Sequence, residues 1–272
     1  MSRVAVVTGA ARGIGAATVR GLAAAGWSVV AVDRGSDDPR LPYPMGTGAE
    51  LDAVVASALA ASPAPESATG GAQVVAYQAD TTEPDALGAA VARAEEEFGG
   101  LDAMLAVAGV IAGGVPLWEM REDQLAAVLD VDLGGPITAA RVGIPALLRR
   151  PSPRQGRFLA VASAAASRGL PTLTAYGAAK AGVAGLIRGL AVELADTGVT
   201  ANAISPGSTD TAMLSESARL YGLDDTASFA HQQPVGRLLT SEEVASVLVW
   251  LAGTESGAMT GAVIPVDGGL SL

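Results

Sequence analysis

The chain has 272 residues, half of them hydrophobic, with 17 lysines and arginines against 28 aspartates and glutamates. That apolar content excludes wholesale disorder, and a net charge of −11 with no basic run argues against a surface for nucleic acid. There is no cysteine and His231 is the only histidine, so a disulfide framework, a cysteine nucleophile and a thiolate or multi-histidine metal cage fall away, and no metal is expected.

The first strand is expected at residues 3–8, a short apolar run bounded by Gly9. The opening Met-Ser-Arg-Val-Ala-Val-Val is too short an apolar run for a signal peptide. A helix then runs from Gly13 to about Ala25 with Gly26 as its cap, and a second strand, Ser28 to Val32, is closed by Asp33. The connection 35–72 is long: a Pro- and Gly-rich stretch, a helix from about Ala49 to Ala60, and Ala61 to Gly71, which looks like a mobile surface loop. A third strand, Gln73 to Gln78, precedes Asp80. Beyond it the pattern predicts helix 83–98, strand 101–107, helix 120–149, strand 157–162, helix 174–196, strand 199–204, helix 241–252 and a last strand near 262–266. Strands alternating with helices imply βαβ units, hence a doubly wound α/β parallel sheet of about seven strands with helices on both faces. The longest uncharged stretch, Ala103 to Trp118, is interrupted by glycines and Pro116 and makes a poor membrane span, so a cytoplasmic protein without a membrane partner is expected.

Thr8-Gly9-Ala10-Ala11-Arg12-Gly13-Ile14-Gly15 falls between the first strand and the first helix. Glycines there permit a tight turn and let backbone N–H groups approach a pyrophosphate at the helix N-terminus. Asp33 follows Gly15 by eighteen residues, at the end of the second strand. A carboxylate at that point accepts bonds from ribose hydroxyls and repels a 2′-phosphate, which favours NAD over NADP, although the adjacent Arg34 could answer such a phosphate.

Tyr176 and Lys180 stand four apart, on one face of a helix. A free tyrosine titrates at about 10 and is a poor base at neutral pH. A lysine cation beside it, in a site that excludes water, favours the phenolate and so is expected to lower that value. An enzyme acting on an alcohol needs such a group, because the hydroxyl proton must leave as the hydride is transferred. Ser163, at the end of strand 157–162, offers a hydroxyl to the same substrate oxygen.

With these residues together, the chain resembles the short-chain dehydrogenase/reductase family over essentially its whole length, as a single Rossmann-type domain, 1–272. The resemblance is carried by Thr8-Gly9-x-x-x-Gly13-x-Gly15, Asp80, Ala108-Gly109, Ser163, Tyr176-x-x-x-Lys180, Asn202-x-x-x-Pro206-Gly207 and Asp267-Gly268-Gly269. It implies that Asp80, with Thr81 next to it, lies beside the adenine, that Lys180 also binds the nicotinamide ribose, and that Thr209 or Thr211 bonds the nicotinamide carboxamide. Two departures stand out. The usual Asn-Asn-Ala-Gly is Ala106-Val107-Ala108-Gly109, and the usual asparagine in a Val-Asn-Leu context is Asp132. Asp132 accepts hydrogen bonds but adds a charge near Lys180; a part in catalysis and a merely structural place in the helix both stay open.

Pro42-Tyr43-Pro44-x-Gly46-Thr47 resembles the insertion of carveol-dehydrogenase-like and mycofactocin-dependent members, which implies NAD held without exchange, a mycofactocin redox partner and a Tyr43 loop over the adenosine end. The segment 208–236 brings Met213, Leu214, Leu220, Tyr221 and Phe229 over the nicotinamide, with Arg219 and Arg237 as the only nearby cations, and so predicts an uncharged, apolar, terpenoid-like secondary alcohol or ketone. His231 could contact it, but a lone loop histidine is more often a partly exposed structural residue. The small residues Gly134, Gly135, Ala139, Ala140, Gly182 and Gly185 suit close helix packing, and the family resemblance implies a homotetramer. The alternative function is an NAD-binding regulatory or scaffold protein that has lost catalysis.

Overall fold

Seven short apolar runs pair into one parallel sheet in the computed structural model, which describes residues 2–62 and 72–272. They are β1 (Val4–Thr8), β2 (Ser28–Asp33), β3 (Val74–Gln78), β4 (Ala103–Ala106), β5 (Gly156–Val161), β6 (Val199–Pro206) and β7 (Val263–Val266), in the order β3-β2-β1-β4-β5-β6-β7. Helices α1 (Gly13–Ala24), α2 (Gly48–Ala61) and α9 (Ser241–Ala252) cover one face. Helices α3 (Pro84–Phe98), α5 (Gly135–Arg149) and α6 (Thr174–Glu193) cover the other. Val4 and Val6 of β1 enter the core under α3, α5 and α6, while Ala5 and Val7 enter the core under α1, α2 and α9. Both faces are apolar, so side-chain alternation alone does not set the register of β1. End contacts do: Asp102 accepts the Val4 N–H at 2.9 Å and is itself gripped by Arg150 at 2.6 and 2.8 Å.

The stretch 120–149, expected as one helix, is divided. Helix α4 (Glu122–Leu129) passes through a π-type turn, Asp130–Gly134, before α5 begins. Pro136 lacks the N–H that an α-helix would direct at the Asp132 carbonyl, and two glycines precede it. The wider turn carries Asp132 into the interior, where it is fully buried. Two further helices lie in the segment between β6 and α9 for which no element is expected: α7 (Ala212–Leu220), capped by Thr211, and α8 (Ala227–Ala230). Most of the predicted loop Ala61 to Gly71 lies outside the described residues. Among the described residues no helix is long and apolar enough to cross a membrane.

Candidate active site

The strands on either side of the β1–β4 junction are wound outward in opposite directions, and a cleft of about 660 Å³ opens at their C-terminal ends. Glycines shape one wall. Gly9 adopts φ +69°, and a side chain there would come within 2.6 Å of the Ala108 backbone; a Cβ on Gly15 would lie 1.9 Å from the Gly9 carbonyl. The first turn of α1, with Gly13 and Ile14, carries neither a side-chain cap nor an acidic residue. It therefore presents its backbone donors and positive dipole end to an anion, and the cradle fits a pyrophosphate. Arg12 also lines the cleft and donates to the Pro44 carbonyl at 2.5 Å.

Asp33 closes β2 at the cleft wall, accepting N–H bonds from Ala11 (3.0 Å) and Gly35 (3.2 Å). Arg34 is occupied by Asp38 (2.9 Å) and Asp80 (3.4 Å), so its charge is already neutralised rather than offered to a 2′-phosphate. Asp80 also accepts from the Thr82 backbone and hydroxyl, and Thr81 beside it lines the cleft. Where the usual amides are replaced by Ala106-Val107, the Thr8 hydroxyl accepts the N–H groups of Val107 (3.1 Å) and Ala108 (3.2 Å) and joins β1 to the end of β4.

Ser163, Tyr176 and Lys180 line the middle of the same cleft. Ser163 is held by the turn after β5, its hydroxyl accepting the Ala165 N–H at 3.1 Å. Helix α6 brings the Lys180 ammonium to 5.6 Å from the Tyr176 ring centre. That ammonium donates to the Val161 carbonyl at 3.1 Å and pairs with Asp132 at 3.0 Å; both charged side chains are almost wholly buried. The same Asp132 oxygen accepts the Val110 N–H at 3.2 Å, while its other oxygen is buried without a partner among the described residues. Gly109 leaves room for this pair, since a Cβ there would lie 2.8 Å from the carboxylate. Burial pushes the Asp132 carboxyl above its usual range against the pull of Lys180. Burial works against the Lys180 charge, but Asp132 and Tyr176 together outweigh it and the ammonium is held. The Tyr176 phenol is raised, not lowered as the Tyr–Lys spacing alone predicts: burial dominates, Asp132 adds to it, and Lys180 and the Ser163 hydroxyl oppose it.

Pro206, Gly207, Thr209 and Thr211 line the cleft beyond β6. Gln233, which no sequence signal marks, fixes this edge: its amide oxygen accepts the Ser208 N–H at 2.8 Å and its nitrogen donates to the Ser208 and Arg237 carbonyls. Asn202 and Asp267 lie outside the cleft lining and tie backbone together, Asn202 to Met259 and Ala262, Asp267 to Gly269 and Ser271. Tyr43 reaches across from the long connection and accepts the Ile111 N–H at 2.8 Å. The outer part of the cleft is lined by Leu170, Leu173, Met213, Tyr221, Leu223 and Phe229. His231 is exposed and outside the lining. Arg219 and Arg237 are also outside it, paired with Glu216 and Glu243. The cation that does line this part, Arg168, carries no sequence signal, because only the turn after Ser163 brings it there.

A family model described as short chain dehydrogenase matches residues 3–42, and one described as enoyl-(acyl carrier protein) reductase matches residues 45–271. The cis-4-hydroxycyclohexanecarboxylate dehydrogenase of Sinomonas cyclohexanicum is 37% identical, over 98% of this chain and 96% of that one. The chain belongs to the short-chain dehydrogenase family. The (-)-trans-carveol dehydrogenase of Rhodococcus erythropolis is 31% identical over 99% of this chain and 98% of its own. The crystal structure of carveol dehydrogenase from Mycobacterium avium in complex with NAD superposes with a TM-score of 0.90, at 29% identity and with 98% and 97% of the two chains covered. This member of the family is an NAD-dependent oxidoreductase.

Proposed function

We propose that this enzyme interconverts a secondary alcohol and its ketone on an apolar, ring-bearing frame, with NAD as the hydride carrier. The convergence of Ser163, Tyr176 and Lys180 where the glycine cradle meets the apolar outer cleft carries the reading. Bound NAD supplies the hydride acceptor at nicotinamide C4. Ser163 donates a hydrogen bond to the substrate oxygen and orients it. Tyr176, as phenolate, takes the hydroxyl proton during oxidation and returns it during reduction. Lys180 stabilises that phenolate, and Asp132 holds Lys180 in position. Gly9, Gly13 and Gly15, with the backbone of Arg12 and Ile14, would cradle the pyrophosphate; Asp33 would take the ribose hydroxyls, Arg34, Asp80 and Thr81 would hold the adenosine end, and Ala108-Gly109 would line the same path. Pro206, Gly207, Thr209 and Thr211 face the nicotinamide. The names of the carveol and hydroxycyclohexanecarboxylate relatives favour a terpenoid-like or other cyclic alcohol.

In the same reading the whole chain is one domain, its 208–236 region closes the substrate side, and the Tyr43 loop covers the adenosine end. Two contacts tie the loop to the cleft wall, Arg12 to Pro44 beside the glycine turn and Tyr43 to Ile111 nearer Tyr176, while Met45 to Asp37 at 2.8 Å orders the loop itself. NAD then exchanges slowly and mycofactocin re-oxidises it within a cytoplasmic homotetramer. The deciding measurement is the mass and absorbance of cofactor released on denaturing freshly purified protein. NAD near one per chain is expected; NADP, or no dinucleotide, contradicts the reading. Tyr176→Phe is expected to abolish turnover and keep the NAD, and full activity in that variant would sink the proposed chemistry.

A further inference from the structure

The substrate half of the cleft is apolar but contains one charge. Arg168 lies just beyond the turn Ala164–Ala166 that follows Ser163, its backbone N–H bonded to the Ala164 carbonyl at 2.9 Å. One arm of its guanidinium donates to the Leu270 carbonyl at 2.5 Å, and Leu270 is itself a buried part of the cleft wall. Among the described residues Arg168 forms no ion pair, in a chain where acidic residues are in excess. The carboxylates lining the cleft, Asp33, Asp38 and Asp80, belong to its adenosine end. Among the described residues the substrate end thus holds a permanent cation with no counter-ion, pinned by one donor and exposed along its other edge.

A guanidinium in that state is a fork for a carboxylate, and because Arg168 is exposed at the cleft rim the bond is moderated by solvent. We propose that Arg168 is the subsite for an anionic group of the substrate, so that the preferred alcohol is a cyclic hydroxy acid with its carboxylate remote from the carbinol carbon. This rests on the alcohol/ketone reading above: Ser163 and Tyr176 hold the carbinol oxygen while Arg168 takes the opposite end of the ring. It replaces the uncharged substrate that the composition of the 208–236 segment suggests, because the cation comes from a different segment.

The test separates charge recognition from catalysis. Cyclohexanecarboxylate and cyclohexanecarboxamide lack a carbinol and cannot turn over, so each is titrated by calorimetry into the full-length, NAD-saturated enzyme. The carboxylate is expected to bind about tenfold more tightly than the amide, the exposed edge of Arg168 limiting the effect, with the preference shrinking as salt rises. Arg168→Gln keeps a donor for Leu270 and is expected to erase the preference; Arg168→Lys is expected to keep most of it. No binding of the carboxylate, equal binding of the two probes, or a preference that survives Arg168→Gln overturns the proposal. Single-turnover oxidation of a panel holding cyclohexanol and cis- and trans-4-hydroxycyclohexanecarboxylate by the unaltered enzyme is a separate arm. Its failure would count against the alcohol-dehydrogenase reading, while carboxylate binding through Arg168 would still be decided by the calorimetry.

Discussion

A carboxylate at position 132 alters the electrostatics beneath Tyr176. As a base in alcohol oxidation the phenol must be ionised, so the rate climbs as pH rises through its titration. Burial and the Asp132 charge both move that titration upward. Asp132→Asn removes the second contribution, and the rising limb of kcat/KM is expected to move to lower pH while NAD affinity holds. An unmoved limb would show that Asp132 does not act through Tyr176. Asp132→Leu instead leaves the Lys180 ammonium buried without its counter-ion. Chemical denaturation should then report a loss of about 3 kcal/mol, the usual cost of breaking a buried pair from one side.

The strap from Arg34 to Thr47 has no regular structure, and its order comes from side chains. Asp38, only 2% exposed, accepts from Arg34 and from both prongs of Arg40, which also reaches Asp130 at 2.7 Å. The Arg40 bonds hold the Asp38 carboxyl at about 2, below its ordinary 3.8. Its stabilising contribution is therefore fully present above the unfolded value and disappears as pH falls from about 4 through about 2. Asp38→Asn should cost about 2 kcal/mol at neutral pH and flatten the acid limb of the stability curve over that interval. The Tyr43 hydroxyl closes the strap against Ile111. Tyr43→Phe orphans that N–H, and NAD release followed by stopped flow is expected to quicken about tenfold, as the loss of one buried hydrogen bond implies.

Across the whole molecule, folding and cofactor binding share one structure. The cradle needs β1, α1 and the end of β4 in register, so NAD binds the native chain and not the unfolded one. Protein stripped of cofactor should melt lower, and NAD at a hundred times its dissociation constant should restore about 2.7 kcal/mol. NADP should restore far less if Asp33 meets its phosphate as proposed, because Arg34 is already paired. The net charge of −11 need not oppose dinucleotide binding, since the uncapped first turn of α1 offers local backbone dipoles to an anion. It favours solubility instead.

The seven strands, the helices between them, the glycine turn, Asp33 and the Tyr176–Lys180 pair were legible in the chain, because each depends on neighbours within a turn or two of backbone. The division of 120–149 was half legible: Gly134-Gly135-Pro136 is a local signal, but the inward turn of Asp132 depends on Lys180, some fifty residues away. Arg168, Gln233 and the Tyr43–Ile111 bond were not legible, since each meets its partner only after the sheet has assembled. The direction of the Tyr176 shift belongs with them. Spacing places a cation beside the phenol, and only packing determines how much water is lost and that a carboxylate stands beneath. Local periodicity and turn chemistry thus determined the fold, the cofactor class and the placing of Tyr176 beside Lys180, while desolvation and long-range charge, which exist only in three dimensions, decided the direction of the Tyr176 shift and placed Arg168 in the outer cleft.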